Sequence, residues 1–300
     1  VGLQSKEPHF MHKAGFVSIV GKPNVGKSTL MNRLVGENLS IITAKAQTTR
    51  HRIMGMINGD DFQIVYSDTP GILEPKYALH EAMMNYVKVS LEDADVILLV
   101  IEAGEKFDAQ LHERFTKPGA PILLIINKVD KFSEADRTKL KNYWKEKIPA
   151  KEVYAVSALT GEQVDVILPA LMRLLPEHPA YFPKDELTNR SERFFASEII
   201  REKIFRNYNQ EIPYSTEVGI EDFKDEQALL RIRATIFVER ESQKGILIGK
   251  AGSSLKKVGT EARVDLESFF GKKVFLETHV KVAADWRKQA LKLRNFGYLE

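Results

Sequence analysis

Short apolar runs alternate with amphipathic stretches over the first part of the chain. Five runs predict β-strands: Phe16–Val20, Phe62–Tyr66, Val96–Ile101, Ile122–Ile126 and Val153–Val156. Those at 96–101 and 122–126 are continuously apolar, which is typical of parallel strands buried on both faces. Between these strands, apolar residues recur with the period of a helix, which predicts helices near 80–91, 108–116, 134–146 and 162–175. This alternation predicts a doubly wound α/β fold with a mostly parallel sheet, in which ligands bind at the carboxyl ends of the strands.

The pattern changes after a join that is rich in proline. Residues 176–183 contain three prolines in eight positions, which interrupts both helix and sheet. Beyond it, helical spacing at 191–208 precedes alternating strand patterns at 215–223 and 228–239. A glycine-containing turn between two helical stretches, a strand at Val274–Val282 and a helix near 284–294 complete the chain. This order predicts an α+β module that differs from the first one.

These patterns divide the chain into two predicted domains. We expect the first at 12–176, a linker at 177–190 and the second at 191–297. Residues 1–10 show no periodicity and are interpreted as a tag or a disordered extension. A chain of 300 residues has room for about two domains of ordinary size.

Composition narrows the class of protein but does not identify a function. The hydrophobic content of 43% and the charged content of 28% are ordinary for a globular protein. The absence of cysteine excludes disulfides and thiolate metal sites, and it fits a reducing, cytoplasmic environment. No apolar stretch approaches the roughly 18 residues of a membrane span. The net charge is only +3, but residues 240–273 carry eight basic and four acidic side chains, a balance that on charge alone fits either a polyanionic partner or a solvated surface.

A phosphate-binding loop follows the first predicted strand. Residues 21–28 read Gly-Lys-Pro-Asn-Val-Gly-Lys-Ser and lead into a helical pattern. In this strand–loop–helix context, backbone N–H groups at the helix start bind phosphate. We expect Lys27 to reach the terminal phosphates and Ser28 to ligate Mg²⁺. The predicted nucleotide contacts of the loop are Gly21, Lys22, Pro23, Asn24, Val25, Gly26, Lys27, Ser28 and Thr29.

Two further segments fit the γ-phosphate and the metal ion. Asp68-Thr-Pro-Gly71 follows the second predicted strand, so that Asp68 is placed to hold Mg²⁺ and the Gly71 N–H to sense the γ-phosphate. Between this segment and the phosphate loop, Thr49 is favoured over Thr48 as the threonine that completes the magnesium shell. The predicted catalytic residues are Lys27, Thr49 and Gly71.

A third segment selects the base. Asn127-Lys128-Val129-Asp130 follows the strand at 122–126. A carboxylate at Asp130 can accept hydrogen bonds from guanine N1–H and the exocyclic amine, a donor pair that adenine lacks. Asn127 would tie this segment to the phosphate loop, and the Lys128 stem would pack on the base. Ser157-Ala158 follows the last strand, where the Ala158 N–H would meet the guanine carbonyl.

The motifs at 21–28, 68–71, 127–130 and 157–158, taken in this order, resemble those of the translation-factor-related GTPases. The run Gly-Lys-Pro-Asn-Val-Gly-Lys-Ser-Thr-Leu-Met-Asn and the segment Gln-Thr-Thr-Arg-His-Arg are similar to those of the Era family of ribosome-assembly GTPases. The resemblance implies GTP and GDP as ligands, with Mg²⁺. Ile72 stands where Ras-like enzymes carry a water-orienting glutamine, so the resemblance implies hydrolysis that is slow without assistance. In related GTPases an asparagine at the position of Asn24 helps to bind K⁺, which we adopt as a hypothesis.

The second half carries the G-x-x-G pattern of an RNA-binding KH domain. Gly249-Lys250-Ala251-Gly252 lies between an apolar run and a helical stretch. In a KH domain such a loop clamps a single-stranded RNA backbone. The predicted RNA contacts are Lys244, Gly249, Lys250, Ala251, Gly252, Lys256 and Lys257, with Arg263 extending them. The order of elements resembles the type II KH arrangement, as does the entry helix near 196–203.

The family resemblance also implies partners. These are the 3′ end of 16S ribosomal RNA and the 30S ribosomal subunit, with a monomeric chain and weak peripheral association with the cytoplasmic face of the inner membrane. Three alternatives stay open at this point. They are a P-loop kinase, an RNA-binding regulatory protein whose nucleotide is structural and does not turn over, and a second half that serves as a basic regulatory or dimerisation module.

Overall fold

The computed structural model describes residues 12–115 and 119–299. The interpretation of residues 1–10 therefore lies outside the described part of the chain. Two compact units are present: one comprises residues up to 40, 52–72 and 86–189, and the other comprises 41–51, 73–85 and the residues from 190 onward. The second unit thus contains two short segments from the first half of the sequence, which the sequence-based division into domains did not foresee.

The first unit is built on a six-stranded sheet with the order β2-β3-β1-β4-β5-β6. All neighbouring pairs are parallel except β2 with β3, which is antiparallel. The strands are β1 Lys13–Val20, β2 Ile53–Asn58, β3 Phe62–Asp68, β4 Val96–Glu102, β5 Ile122–Asn127 and β6 Glu152–Ala155. The α-helices described in this part of the chain are α1 Lys27–Val35, α2 Ala78–Asp93, α3 Ala109–Glu113, α4 Glu134–Lys145 and α5 Ile167–Leu174.

The continuous apolar runs lie at the centre of this sheet. Every residue of Ile97–Val100 is completely buried, and so is every residue of Leu123–Ile126. Helical layers on both faces require such strands to be apolar on both sides. The predicted α/β fold with a mostly parallel sheet is therefore confirmed for the first unit.

One strand was not predicted. β2 at Ile53–Asn58 lies at the edge of the sheet, and only part of its surface is buried. It contains Gly55, which weakens a strand pattern in sequence because it supplies no side chain to pack. A Cβ at Gly55 would lie 2.9 Å from Val35 Cγ2 and 3.0 Å from Leu39 Cδ1, so the close approach of these side chains explains the glycine.

The second unit contains a three-stranded sheet with the order β7-β8-β9. β7 Glu217–Glu226 pairs antiparallel with β8 Leu229–Val238, and β8 pairs parallel with β9 Lys273–Val282. Its helices are α6 Glu192–Asn207, α7 Ile212–Ser215, α8 Glu241–Ile248, α9 Ser253–Phe270 and α10 Ala290–Asn295. The helix predicted near 284–294 is a 3₁₀ turn at Trp286–Lys288 followed by the short α10.

A hydrophobic core joins this sheet to helices α6, α8 and α9. α6 contributes Ala196, Ile200 and Ile204, while the inward face of β8 contributes Leu230, Ile232, Ala234, Ile236 and Val238. The alternation of β8 follows from the period of two in a strand that has one covered face. The same core includes Leu247 of α8 and Val258, Ala262 and Leu266 of α9.

The core position of Leu266 gives a test of this packing. We expect Leu266→Ala to lower the free energy of unfolding of the second unit by about 2–5 kcal/mol, because the lost methyl groups leave a cavity. The control is Val264→Ala on the same helix, where the side chain is 55% exposed and the change should stay within about 0.5 kcal/mol. Chemical denaturation in a Trp144→Phe background, followed by Trp286 fluorescence, measures this unit. Equal losses for both variants would contradict the assigned helix face.

Candidate nucleotide-binding and nucleic-acid-binding sites

The phosphate loop joins β1 to α1 and curls around the side chain of Lys27. This residue begins α1 and is buried, and its Nζ donates hydrogen bonds to the carbonyl oxygens of Gly21 at 3.1 Å and Lys22 at 2.8 Å. Burial lowers the pKa of Lys27 to about 8, although the carboxylates of Asp68 and Glu105 oppose this shift. The loop therefore holds a partly desolvated ammonium group, which an anionic ligand would stabilise.

The backbone of this loop depends on close contacts that side chains would block. Gly26 has a φ of 99°, and a Cβ there would lie 2.2 Å from Asn127 Nδ2. Asn24 also has a left-handed backbone, with a φ of 64°, which asparagine adopts more readily than most residues. The loop ends at the N-terminus of α1, where unpaired backbone N–H groups favour an anion.

Two side chains, one at the start of α1 and one at the end of β3, form the candidate magnesium site. Ser28 Oγ donates a hydrogen bond of 2.6 Å to Asp68 Oδ2. Asp68 is completely buried, and within the described residues its Oδ1 has no hydrogen-bond partner. Burial raises the pKa of Asp68, while the hydrogen bond from Ser28 and the charge of Lys27 oppose that shift. A hydroxyl and an unsatisfied carboxylate oxygen are suitable ligands for Mg²⁺, so these residues fit the ion.

Thr49, the third predicted magnesium ligand, lies in the segment 41–51. That segment groups with the second unit rather than with Ser28 and Asp68. The role of Thr49 therefore stays a prediction.

The turn after β3 packs against the phosphate loop. A Cβ at Gly71 would lie 2.6 Å from the backbone nitrogen of Pro23, so only glycine permits this approach. The Ile72 N–H points to the Gly21 carbonyl oxygen at 3.4 Å, and the Ile72 side chain is buried. Thr69 Oγ1 donates to the Ile19 carbonyl oxygen at 2.9 Å. The predicted γ-phosphate sensor is therefore placed beside the phosphate loop.

Asn127 joins three loops at the carboxyl edge of the sheet. Its Nδ2 donates to the Val25 carbonyl oxygen at 2.8 Å, and its Oδ1 accepts from the Ala158 N–H at 2.9 Å. Ser157 Oγ donates to Asp130 Oδ1 at 2.9 Å, which orients the carboxylate that we assign to the base. The Ala158 N–H thus has a protein acceptor, and its predicted contact with the guanine carbonyl stays a prediction.

Sequence reasoning missed two carboxylates at the end of β4. Glu105 forms an ion pair of 2.8 Å with Lys22 of the phosphate loop, and Glu102 forms one of 2.7 Å with Lys128. Both acidic residues follow the apolar run at 96–101, at the edge where ligands bind in such sheets. Their location directly after a predicted strand was the feature of the sequence from which these two carboxylates could have been predicted to lie at the site.

The G-x-x-G loop connects α8 to α9. Gly249 and Gly252 have φ values of 72° and 76°, and Ala251 between them also has a left-handed backbone at 50°. The loop leads directly into the N-terminus of α9, an 18-residue helix that can favour an anion there. Lys250, Lys256 and Lys257 are exposed along this end of the unit.

The neighbouring side chains add both charge pairs and an apolar surface. Lys244 lies 4.0 Å from Glu241, Lys257 lies 3.8 Å from Glu261, and Arg263 lies 3.1 Å from Glu267. Ile246, which precedes the loop on α8, is 54% exposed, whereas Leu247 is in the core. An exposed isoleucine beside a basic glycine loop can contact a base, and it was absent from the residues predicted from sequence.

Comparisons with known proteins bear on both sites. The family model described as "50S ribosome-binding GTPase" matches residues 16–128, and the KH domain model matches residues 211–287. The chain is 47% identical over 295 residues to the GTPase Era of Syntrophus aciditrophicus, covering 97% of this chain and 96% of that protein. It is 44% identical over 291 residues to the GTPase Era of Geobacter metallireducens, covering 95% and 98% respectively.

Two solved structures match nearly the whole chain. One is a point variant of Aquifex aeolicus Era bound to GDP·AlF₄⁻, with a TM-score of 0.92 and 41% identity over 96% of this chain and 100% of that one. The other is an Era in complex with MgGDPNP and nucleotides 1506–1542 of 16S ribosomal RNA, with the same score, identity and coverage. Among residues 12–115 and 119–299, no helix combines the length and apolar character that crossing a membrane requires.

The pKa of Lys27 leads to a test of the phosphate loop. At pH 8 about half of these side chains are neutral in the free protein, since the pKa is about 8. A bound phosphate favours the charged form, so GDP binding should take up about half a proton at pH 8 and much less at pH 7, with an affinity that falls as pH rises further. Calorimetry in two buffers of different ionisation enthalpy measures this uptake. Identical binding enthalpies in both buffers at pH 8 would count against the assigned role.

Proposed function

Because the chain belongs to the Era family of GTPases, we propose that it is a GTP-hydrolysing switch that binds the 3′ region of 16S ribosomal RNA and assists assembly of the 30S subunit. The observation that carries the proposal is the pair of hydrogen bonds made by Asn127. They join the phosphate loop to the base-recognition segment, while the same chain carries a KH module. A triphosphate site and an RNA site in one chain are the components of a nucleotide-controlled RNA-binding protein.

The residues of the first unit have distinct roles in this proposal. Lys27 and the backbone N–H groups of residues 24–29 bind the phosphates, and Gly71 contacts the γ-phosphate. Asp130, oriented by Ser157, selects guanine, and Lys128 packs on the base. Ser28 and Asp68 hold Mg²⁺, with Thr49 as a further ligand. When bound, the ion neutralises charge that develops on the transferred phosphoryl group.

The hydrolysis itself is expected to be slow. Ile72 is buried and has no functional group that could orient a water molecule. Faster hydrolysis then requires an additional positive charge beside the phosphates. We propose that K⁺, held by Asn24, is one source of this charge. Within residues 21–28, Asn24 is the residue other than glycine that has a left-handed backbone, and this observation supports the choice of Asn24.

The RNA site lies at the G-x-x-G loop of the second unit. Lys250 supplies charge on the loop itself, Lys244 and Lys256–Lys257 extend the basic surface, and Ile246 adds an apolar contact. Single-stranded RNA offers both a phosphate backbone and unstacked bases, which this combination can bind. Contacts of the basic loop with phosphate position the RNA backbone and do not read its sequence.

We also propose a domain arrangement and a setting for the protein. The nucleotide-binding domain covers 12–176, the linker covers 177–190 and the KH domain covers 191–297, with segments 41–51 and 73–85 grouped with the latter. The chain acts as a monomer in the cytoplasm, a location that its lack of cysteine supports. Weak peripheral association with the cytoplasmic face of the inner membrane is proposed from the family resemblance alone.

Single-turnover hydrolysis tests the enzymatic part of this proposal. With Mg²⁺, we expect GTP to be hydrolysed and ATP to be left intact, and we expect hydrolysis to be faster in K⁺ than in Na⁺. Asn24→Ala should remove the K⁺ effect and slow the reaction by about tenfold or more, a loss of at least about 1.4 kcal/mol of transition-state stabilisation.

The control is Asn58→Ala in β2, which should keep the K⁺ effect. Equal wild-type rates in the two salts would refute the K⁺ site without affecting the GTPase assignment. Absence of any hydrolysis would favour the alternative in which the nucleotide is structural.

RNA binding tests the second part. Lys250→Glu should weaken binding of an oligonucleotide from the 16S 3′ region while GTP affinity stays unchanged. It should also flatten the dependence of log K on log salt by about one unit or more, because a phosphate contact is removed and a repulsive charge is added. Filter binding or fluorescence anisotropy over a salt series measures both effects. Lys288→Glu, an equally large charge change at an exposed position of the same unit, is the control. An equal effect of the two variants would indicate that only net charge matters.

A further inference from the structure

An ion pair joins the two segments that we assign to the guanine base. Arg137 of α4 pairs with Glu162, which lies in the loop after β6. Arg137 Nη1 donates to Glu162 Oε1, and Arg137 Nη2 donates to Glu162 Oε2 at 3.3 Å, so the pair is bidentate. Both residues belong to the first unit, as does the base-recognition segment at 127–130. Because a guanidinium is planar, a bidentate pair restricts the separation and the orientation of the two parts that it joins.

Arg137 also binds the backbone of the base-recognition segment directly. Its Nη2 donates to the Val129 carbonyl oxygen at 3.0 Å, and its Nε donates to the Phe132 carbonyl oxygen at 3.0 Å. These two carbonyl groups lie on either side of Asp130 in the chain. Asp130 itself is exposed, so its carboxylate can reach a ligand. One side chain therefore holds the backbone around Asp130 and also binds Glu162.

The backbone of Glu162 closes the turn that follows β6. Its carbonyl oxygen accepts from the Ser157 N–H at 3.0 Å, and the Ser157 carbonyl oxygen accepts from the Gly161 N–H at 2.8 Å. The hydroxyl of Ser157 in turn donates to Asp130 Oδ1 at 2.9 Å. A path of hydrogen bonds thus leads from Arg137, through the turn that contains Ser157, to the carboxylate of Asp130.

The place of Arg137 in its helix is unfavourable for a basic residue that lacks acceptors. It is the fourth residue of α4, near the helix N-terminus, where the helix dipole disfavours a positive charge. The side chain of Arg137 is 15% exposed and that of Glu162 is 40% exposed. A partly exposed ion pair adds little to stability by itself. The two segments that Arg137 joins therefore explain an arginine at this position better than helix stability does.

The other end of the turn is held independently, by side chains next to the phosphate loop. Arg33 of α1 donates to the carbonyl oxygens of Leu159 at 2.7 Å and Ala158 at 3.3 Å, and Asn127 accepts from the Ala158 N–H. These contacts do not involve Arg137. Loss of the ion pair should therefore change the position of the turn relative to Asp130 and leave the phosphate loop in place.

We propose that Arg137, through its ion pair with Glu162, is a positioning residue for guanine recognition. It fixes the Asp130 carboxylate relative to the Ser157 hydroxyl. It thereby sets the geometry in which this carboxylate accepts hydrogen bonds from the guanine N1–H and the exocyclic amine. A shift of the carboxylate weakens both hydrogen bonds, because their strength depends on distance and angle, and spares the phosphate contacts. The inference rests on the proposed function, since it refines the role given there to Asp130.

The test compares GDP with IDP, which carries the same phosphates and lacks the exocyclic amine of the base. Isothermal titration calorimetry of the full-length protein gives the dissociation constants for MgGDP and MgIDP. We expect the wild type to bind GDP about tenfold or more tightly than IDP, because IDP lacks one hydrogen bond to a charged acceptor. In Arg137→Ala and in Glu162→Ala this ratio should fall to about threefold or less, with most of the change in the affinity for GDP.

Two further variants show whether the arginine and the carboxylate act together. Arg137→Ala combined with Glu162→Ala should give the ratio of Arg137→Ala alone, because removal of the arginine already breaks the pair. Arg137→Lys keeps the positive charge but cannot bind the same acceptors in a fixed planar fork. It should therefore also lose discrimination between the two nucleotides.

A matched ion pair at the other end of β6 supplies the control. Arg173 donates to Glu152 Oε1 at 2.7 Å and to the Pro169 carbonyl oxygen at 3.3 Å, so its truncation also removes a carboxylate contact and a backbone contact. Glu152 begins β6, whereas Ser157 follows its end, so this pair lies at the opposite edge of the sheet. Arg173→Ala should keep the wild-type ratio. Asp130→Ala is the reference for lost base recognition and should bring the two constants close together.

The outcomes separate the inference from the function on which it rests. A wild-type ratio in both Arg137→Ala and Glu162→Ala, together with a lost ratio in Asp130→Ala, overturns the inference and leaves the proposed function intact. A loss of GDP and IDP affinity by the same factor also overturns it, since destabilisation alone gives that result. If Asp130→Ala keeps the wild-type ratio, or the wild type binds both nucleotides equally, the base-binding role of Asp130 in the proposed function fails. If Arg137→Ala does not fold, Glu162→Ala decides, because the carboxylate is the more exposed partner.

Discussion

The amide of Asn127 is the interaction on which the nucleotide site depends. One end of this group binds the phosphate loop at Val25, and the other end binds the Ala158 N–H of the loop after β6. The residue itself ends β5, so a strand buried between β4 and β6 carries both contacts. Gly26 must be a glycine because this same amide occupies the space of a Cβ. Three loops that are far apart in sequence thereby acquire one fixed geometry.

Buried charges fall into two classes in this molecule. Arg50 and Arg201 each have several acceptors, among them the carboxylates of Glu217 and Glu198, although Arg50 Nε and Arg201 Nη1 lack partners among the described residues. Lys27 and Asp68 are less well compensated: burial shifts the pKa of each toward the neutral form, and Asp68 Oδ1 lacks a partner among the described residues. Desolvation of an ion is costly unless something replaces its water. A bound phosphate and a bound cation would compensate the charges of Lys27 and Asp68, which supports the roles predicted for these two residues.

Much of the fold was predictable because the patterns that specify it lie in short, contiguous stretches of the sequence. The runs at 96–101 and 122–126 specify buried strands by themselves, and the motifs at 21–28, 68–71 and 127–130 each follow a strand that the structure contains. β2 was missed since an edge strand with a glycine shows little alternation. The exposure of Ile246 beside the buried Leu247 also needed the structure, because both lie in one apolar run.

The burial of the polar face of α6 was not predictable for a different reason. This face comprises the buried residues Glu198, Arg201, Glu202 and Lys203. Helix periodicity identifies a polar face, and the ordinary interpretation assigns such a face to solvent. Here the partner is a segment about 150 residues earlier in the chain, whose contacts are made largely by backbone atoms. No property of residues 41–51 taken alone distinguishes a docked segment from a loop. The burial of Arg50 likewise depends on acceptors far along the chain, at 213–217.

The parallel pairing of β8 with β9 has a consequence for how the protein is made. Leu229 is opposite Lys273 in this register, so the sheet of the second unit closes only after the intervening helices have been synthesised. Tyr298, which stacks on His51, is later still. Domains generally fold in order during synthesis, and non-local strand pairing is slow. The nucleotide site can therefore form on a nascent chain well before the segment 41–51 gains its anchor. A chain truncated after the first unit would keep residues 21–29, 68–71 and 127–130 and lack Tyr298, on which His51 stacks.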